Sequence, residues 1–321
     1  MVDTGSHLLF GFTLAGLAHL DPTLARVPGL EQAVMMGTVI GAHAPDFDTL
    51  TRLRGYSAYI RHHRGISHSI PALFLWPLVI TVPLAMTLKL WDYWGLLYFW
   101  TFLSVFFHVF LDMFNQYGVQ SLRPFSKKWV HLDILHLFEP FLFFLHLAGG
   151  MLWIVGELDP VAVFPWVYAI SFLYLGVRFL QHAHLLRILR RTLNEEGSYH
   201  VFPSLHWFHW RYVAETIDGF YTGTMEYGKV KNKETYSKEG KNPIIQAAES
   251  VPDVHVFLQF AQRIHVSYAK LQDGYEVKWS DVRFWYDNQL TFGVDVRLDQ
   301  DLRVVSHKFG WRKRAVDPPY V

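Results

Sequence analysis

Cysteine is absent from this 321-residue chain. Its absence excludes disulfides, thiolate nucleophiles and sulfur ligands, so a bound metal must be held by imidazole nitrogen and carboxylate oxygen. A surplus of charge is missing too: 29 Lys and Arg stand against 28 Asp and Glu. A net charge of +1 gives no whole-chain attraction to nucleic acid, and no nucleic-acid partner is expected. Met1-Val2-Asp3 lacks the basic n-region of a secretory signal, and no small-residue cleavage site follows, so this start is expected to be retained. Internal repeats and low-complexity tracts are likewise missing.

What the chain has instead is apolar bulk, with 17% Phe, Trp and Tyr. Residues 70–88 and 94–111 contain no Lys, Arg, Asp or Glu; 141–156 and 161–177 are slightly shorter but equally uncharged. A helix needs about 20 mostly apolar residues to cross the hydrocarbon layer, so these four are read as membrane spans. Residues 7–20 and 33–44, rich in Gly and Ala, fit short spans, re-entrant pieces, or helices packed closely against the others. Basic residues collect on alternate connections: Arg52, Arg54, Arg61 and Arg64, then Arg123, Lys127 and Lys128, then Arg187, Arg190 and Arg191. The positive-inside rule puts those connections, and the C-terminal part, in the cytoplasm.

Composition changes after about Asn194. Residues 229–242 read as a polar loop, Ser250 with Pro252 as a helix start, and 277–287, 290–298 and 302–309 as alternating strands. The expected fold is mainly α: a polytopic helical membrane domain over residues 1–194, and a small cytoplasmic α+β domain over 195–321 that ends in an antiparallel meander.

Histidines and carboxylates gather at the mouths of the apolar stretches. His108 and Asp112 lie four residues apart, on one helix face, where they can grip one ion or bridge two; the plainer alternative is a helix-end histidine bonded to an aspartate. In Pro45-Asp46-Phe47-Asp48, Pro45 is expected to end the preceding helix and leave two carboxylates in an extended turn. The alternative there is a capping Asp48 and a solvated Asp46. In His63-Arg64-Gly65-Ile66-Ser67-His68-Ser69, Gly65 permits a turn between the two histidines, and Ser67 or Ser69 is placed to cap the following span. Arg64 adds a planar cation; a metal, an arginine and a helix N-terminus together describe a phosphate cradle. Headgroup contacts for Arg64 and interfacial histidines are the alternative. His7 gains weight only because the other groups cluster at similar depth. Glu139, just before Pro140, is a candidate ligand or base, or a carboxylate settled by the helix dipole. His146 lies amid Phe and Leu and is given a packing role.

The ordered set Gly5-Ser6-His7, Pro45-Asp46-Phe47-Asp48, His63 through Ser69, and His108 with Asp112 resembles the membrane-bound metal-dependent hydrolase family, whose members include LexA-regulated inner-membrane proteins. The stretch from Asn115-Gln116-Tyr117-Gly118 to Arg123-Pro124-Phe125 resembles a Bacillus-type branch with a C-terminal cytoplasmic domain. The order of ligand types, with a late Glu139, is also similar to the zinc-dependent phospholipase C pattern. These likenesses imply a multi-pass inner-membrane protein that hydrolyses a phosphoester at the cytoplasmic membrane face. His7, Asp46, Asp48, His63, His68, His108 and Asp112 would hold two or three divalent ions, zinc first, with manganese, iron or magnesium as others. Asp48, Arg64 and Glu139 would act in catalysis. A site at headgroup depth suggests membrane lipid as partner, with a phospholipid or polyprenyl phosphate as substrate. A non-enzymatic metal-binding scaffold or regulator is the main rival; a transporter, whose polar groups should follow the span's depth, is the second.

Overall fold

In the computed structural model, residues 4–238, 240, 242–286 and 288–312 are described. The chain divides into two compact units, one of residues 4–49 and 64–182, the other of 50–63 and 183–312.

The first unit is helical. Helices α1 (Thr4–Leu17), α2 (Thr23–Arg26) and α3 (Leu30–Gly41) lead into a 3-10 segment over Ala44–Arg54. Helix α4 (Tyr56–His62) belongs to the second unit; a 3-10 turn at Ile66–His68 then precedes α5 (Ile70–Thr87). Next come α6 (Trp94–Asp112), α7 (Pro140–Ile154) and α8 (Pro160–Leu193). Three segments among the described residues are long and apolar enough to cross a membrane: Ile70–Thr87, Trp91–Asp112 and Pro160–Leu193. Helix α7 has 15 residues, about 22 Å at 1.5 Å per residue, against a hydrocarbon layer of about 30 Å.

Small residues set the closest approaches. A Cβ on Gly11 of α1 would lie 2.7 Å from both Ala42 Cβ and Thr38 O, and one on Gly37 of α3 would lie 2.4 Å from Thr101 Oγ1 of α6. At 14 and 12 residues, α1 and α3 are short for spans. Of the three readings open for them, packing against the longer helices has this support.

The second unit carries two antiparallel sheets. Strands β1 (Ser198–Pro203), β2 (His209–Glu215), β3 (Gly219–Glu226) and β4 (Lys229–Ser237) pair in chain order. Leu185 and Leu189, on the last turns of α8, pack with Tyr199, Trp210 and Met225 of that sheet. Helices α9 (Pro243–Glu249) and α10 (Pro252–Phe260) precede β5 (Ile264–Leu271), β6 (Gly274–Asp281), a short β7 (Trp285–Tyr286) and β8 (Gln289–Leu290) hairpin, β9 (Phe292–Asp299) and β10 (Val304–Trp311). The second four-stranded sheet has the order β10-β9-β6-β5.

Several expectations are corrected here. Residues 229–237 are not a loop but the edge strand β4, whose lysines alternate outward as an exposed edge allows. Helix α8 runs on past 177, where the stretch read as a span ends. Apolar character ends there, but helix-forming residues continue to Leu193, and Asn194 closes the helix in the left-handed region. Ser250 is the C-cap of α9 rather than the start of α10. The meander near the C-terminus is present, and β5 adds a strand to it.

Candidate metal centre

Three chain segments deliver the side chains. Helix α6 presents His108 and Asp112 from its last two turns, one above the other. The turn before α5 delivers His68, and the 3-10 segment after α3 delivers Asp46. Here the expected extended turn is corrected. Pro45 does not break the chain, because the first turn of a helix tolerates proline; Asp46 N–H bonds to His43 O at 3.0 Å and Thr49 Oγ1 donates to Asp46 O at 2.8 Å. At about three residues per turn, side chains two apart point some 120° away from each other. Asp46 therefore faces the histidines. Asp48 accepts Arg64 N–H at 2.9 Å and the Ser67 hydroxyl, and its Oδ2 lies 3.6 Å from His68 Nδ1, on the other side of that ring from Asp46.

Asp46, His68, His108 and Asp112 are all buried, and each offers a ligand atom within 4.8 Å of the others. The two Nε2 atoms are 3.4 Å apart. From His68 Nε2 it is 3.6 Å to Asp46 Oδ1 and 3.5 Å to Asp112 Oδ2. From His108 Nε2 both carboxylates stand at 3.7 Å. Four donors bonded to one ion at about 2.0–2.2 Å form a tetrahedron with edges of about 3.3–3.6 Å. At 3.4–3.7 Å the separations are long for hydrogen bonds and lie close to those edges. Neither oxygen of Asp46 has a hydrogen-bond partner, although the residue is 5% exposed. A buried carboxylate without hydrogen bonds is costly, and a cation removes the cost. The residues therefore fit a divalent ion.

The groups behind the ligands prepare them. His108 Nδ1 lies 2.6 Å from Ala42 O. A carbonyl only accepts, so Nδ1 carries the proton and the Nε2 lone pair faces the cluster. His68 Nδ1 lies 2.9 Å from Ser67 Oγ, which itself donates to Asp48. Nδ1–H thus donates to the hydroxyl and frees Nε2 in the same way. Electrostatics point to a cation too. Burial works against a charged His68, but the carboxylates of Asp112, Asp46 and Asp48 around it prevail and raise it to about 9. Burial would raise Asp46, but His108 and His68 beside it hold its carboxyl well below the usual range. In effect, a proton on His68 does what a metal would do.

His7 stacks on His108 with ring centroids 3.8 Å apart, and its Nε2 is 3.6 Å from Asp112 Oδ1 without a hydrogen-bond partner. Burial and the neighbouring His108 lower it to about 4, so it is a neutral nitrogen at the edge of the cluster. Arg64, 2% exposed and at φ 58°, sends its guanidinium to Asp112 Oδ1 (3.0 Å), Asn115 Oδ1 (3.1 Å) and Gly118 O (3.2 Å). The left-handed residue of this turn is Arg64, not Gly65. Asn115, given no role from sequence, ties the arrangement together by also accepting Tyr117 N–H at 3.0 Å. Its position three residues past Asp112 is the signal available in the chain.

The expected side-chain cap is not formed. Ser69 occupies the N-cap of α5, but its hydroxyl bonds to Ile66 O, and Ile70 N–H goes to Ser121 O at 3.1 Å. Glu139 lies apart from the four-ligand cluster, with His136 N–H on Oε2 and the Tyr174 hydroxyl on Oε1; burial raises its pKa. His63 falls in the second unit, at the end of α4, its ring stacked on Tyr59 at 4.7 Å. His146 is buried in a polar setting, with Thr13 Oγ1 at 2.7 Å and Ser171 Oγ at 3.0 Å.

Residues 243–316 match the YfhP C-terminal alpha/beta plait domain. The chain is 35% identical over 313 residues to the uncharacterized protein YfhP of Bacillus subtilis (strain 168), covering 97% of this chain and 95% of that one. No solved structure matches. Residues 1–185 match the YdjM inner membrane protein family, and the chain belongs to it.

Proposed function

We propose that this protein is a membrane-embedded, metal-dependent hydrolase of phosphoesters, with its site at the cytoplasmic end of the helical unit. The observation that carries this reading is the convergence of two imidazoles and two carboxylates at tetrahedral spacing, with oriented Nε2 lone pairs and an unpartnered Asp46. Closed structural sites favour thiolate, whereas mixed His and carboxylate sets are typical of hydrolytic centres. A divalent ion bound here, zinc before manganese, iron or magnesium, would act as a Lewis acid and lower the pKa of a water.

The chain's own groups then divide the work. Asp46, His68, His108 and Asp112 hold the ion, and His7 offers a further nitrogen beside Asp112. Arg64 fixes Asp112 and keeps its charge compensated. Of the two carboxylates considered as proton acceptors, Asp48 adjoins the cluster through Ser67 and His68, while Glu139 is engaged by His136 and Tyr174. His63 and Asp48 enter as ligands only if more than one ion binds. With α5 to α8 crossing in turn, the positive-inside rule would put the ligand-bearing ends and the C-terminal domain in the cytoplasm.

A second reading has one observation in its favour: all four ligands are buried, as in closed structural centres. It makes the protein a metal-stabilised scaffold without turnover. The test is purification in detergent, elemental analysis, and assay of phosphatase and phospholipase substrates, with Asp112→Asn and His68→Ala as controls. Turnover lost in both folded variants supports the hydrolase. Bound metal without turnover on any substrate supports the scaffold.

A further inference from the structure

We infer that the turns carrying the ligands form a rim immersed in the bilayer, so that lipid headgroups stand at the mouth of the metal centre. The ligand-bearing turns alternate polar residues turned inward with apolar residues turned outward. Between buried Asp46 and inward-bonded Asp48 stands Phe47, 46% exposed; two residues before the fully buried His68 stands Ile66, 68% exposed. The neighbouring turn repeats the pattern, with Leu122 at 46% and Phe125 at 85% exposure. That turn belongs to the same structure: Gln120 N–H bonds to Arg64 O at 2.9 Å, and Ser121 O accepts Ile70 N–H at 3.1 Å.

Four large apolar side chains left outside, on turns rather than on spanning helices, are unfavourable against water. Their place in the chain says what covers them. Ile66 lies four residues before α5 begins, and Leu122 and Phe125 follow the end of α6. The rim therefore continues the apolar belt of two helices long enough to span a membrane. Lys127 and Lys128, both exposed, flank it with charge that complements anionic headgroups. Apolar wedges bordered by lysine are how interfacial segments seat themselves at the headgroup–acyl boundary. Given the hydrolase reading, the favoured substrate is a phosphoester borne by a lipid, reached from within the leaflet.

The natural absence of cysteine makes the test direct. Single variants Ile66→Cys, Leu122→Cys and Phe125→Cys of the full chain carry a nitroxide label in nanodiscs containing anionic phospholipid. Collision with oxygen and with a water-soluble nickel chelate is compared at each. Val79→Cys, on the exposed face of α5, gives the lipid reference, and Lys278→Cys, on β6, the aqueous one. We expect at least two rim positions to favour oxygen by several-fold over the aqueous reference, approaching Val79. Chelate access equal to that of Lys278 would overturn the inference, and so would screening from both reagents, which means a protein surface covers the rim. The readout needs no turnover, so a failed hydrolase assay leaves it intact, and an active enzyme with a water-exposed rim refutes it alone.

Discussion

Arg64→Lys asks whether the buried guanidinium serves the ligands or the substrate. Lysine keeps the charge but replaces a planar fork with a point donor. The native side chain makes three bonds, to Asp112, Asn115 and Gly118, at 3.0–3.2 Å. An ammonium at the end of a different stem keeps at most one of them with good geometry. Charge-assisted bonds contribute about 1.5–3 kcal/mol each, and Asn115 Oδ1 retains backbone donors, so a loss of about 2–4 kcal/mol of stability is expected. Because Asp112 is then less firmly aimed, metal affinity should fall about 10–100-fold, the range for groups that orient ligands. The assay is competition for the ion with a chromogenic chelator, run beside thermal unfolding in the same detergent. The double variant with Asp112→Asn should lose less than the sum of the single losses, since the two groups contact each other. Unchanged metal affinity together with lost turnover would refute the reasoning and return Arg64 to the substrate.

Asp112→Asn alone should leave the Arg64 charge buried without its partner, lowering stability by about 3–5 kcal/mol, and should abolish stoichiometric metal by elemental analysis; retained metal would mean that Asp112 is not a ligand. The metal-free protein should be pH-sensitive. His68, raised from 6.5 to about 9, contributes stability that is fully present below about pH 6.5 and lost as pH rises through 9. The loss is roughly 3 kcal/mol, at about 1.4 kcal/mol per unit. Asp46, held low, contributes above its unfolded value and loses that as pH falls. Unfolding temperatures between pH 6 and 9.5 with chelator present should therefore decline, and the decline should flatten when metal replaces the proton; equal slopes in both would contradict the site. Gly11→Val should destabilise the helical unit by about 1–3 kcal/mol through overpacking against Ala42 and Thr38 O, with the unfolding midpoint as the measure.

How far the chain could be read depended on the range of the information. His108 and Asp112 were legible because four residues on a helix is a local fact, and the uncharged runs were legible because the lipid's demand is compositional. The partners of Asp48 were not, since its direction depends on whether residues 44–54 turn as 3-10 or run extended, and on an Arg64 N–H that waits sixteen residues away for its carboxylate. The first sheet was hidden for a related reason. Its edge strand β4 shows lysines where an interior strand would show valines, and its pairing partners set its register, not its own composition. The tail of α8 shows the converse, a helix that hydropathy ends too early because its last turns are held by Leu185 and Leu189 under a sheet, not by lipid. Arg64 joins both lessons. A planar cation beside a helix mouth is the right chemistry for phosphate, yet the fold turns it inward to hold a carboxylate, and only the positions of Asn115 and Gly118 decide between the two. Ligand identity was local; the assignment of each charge to a partner was tertiary, and that assignment is what separates a metal centre from a cluster of interfacial residues.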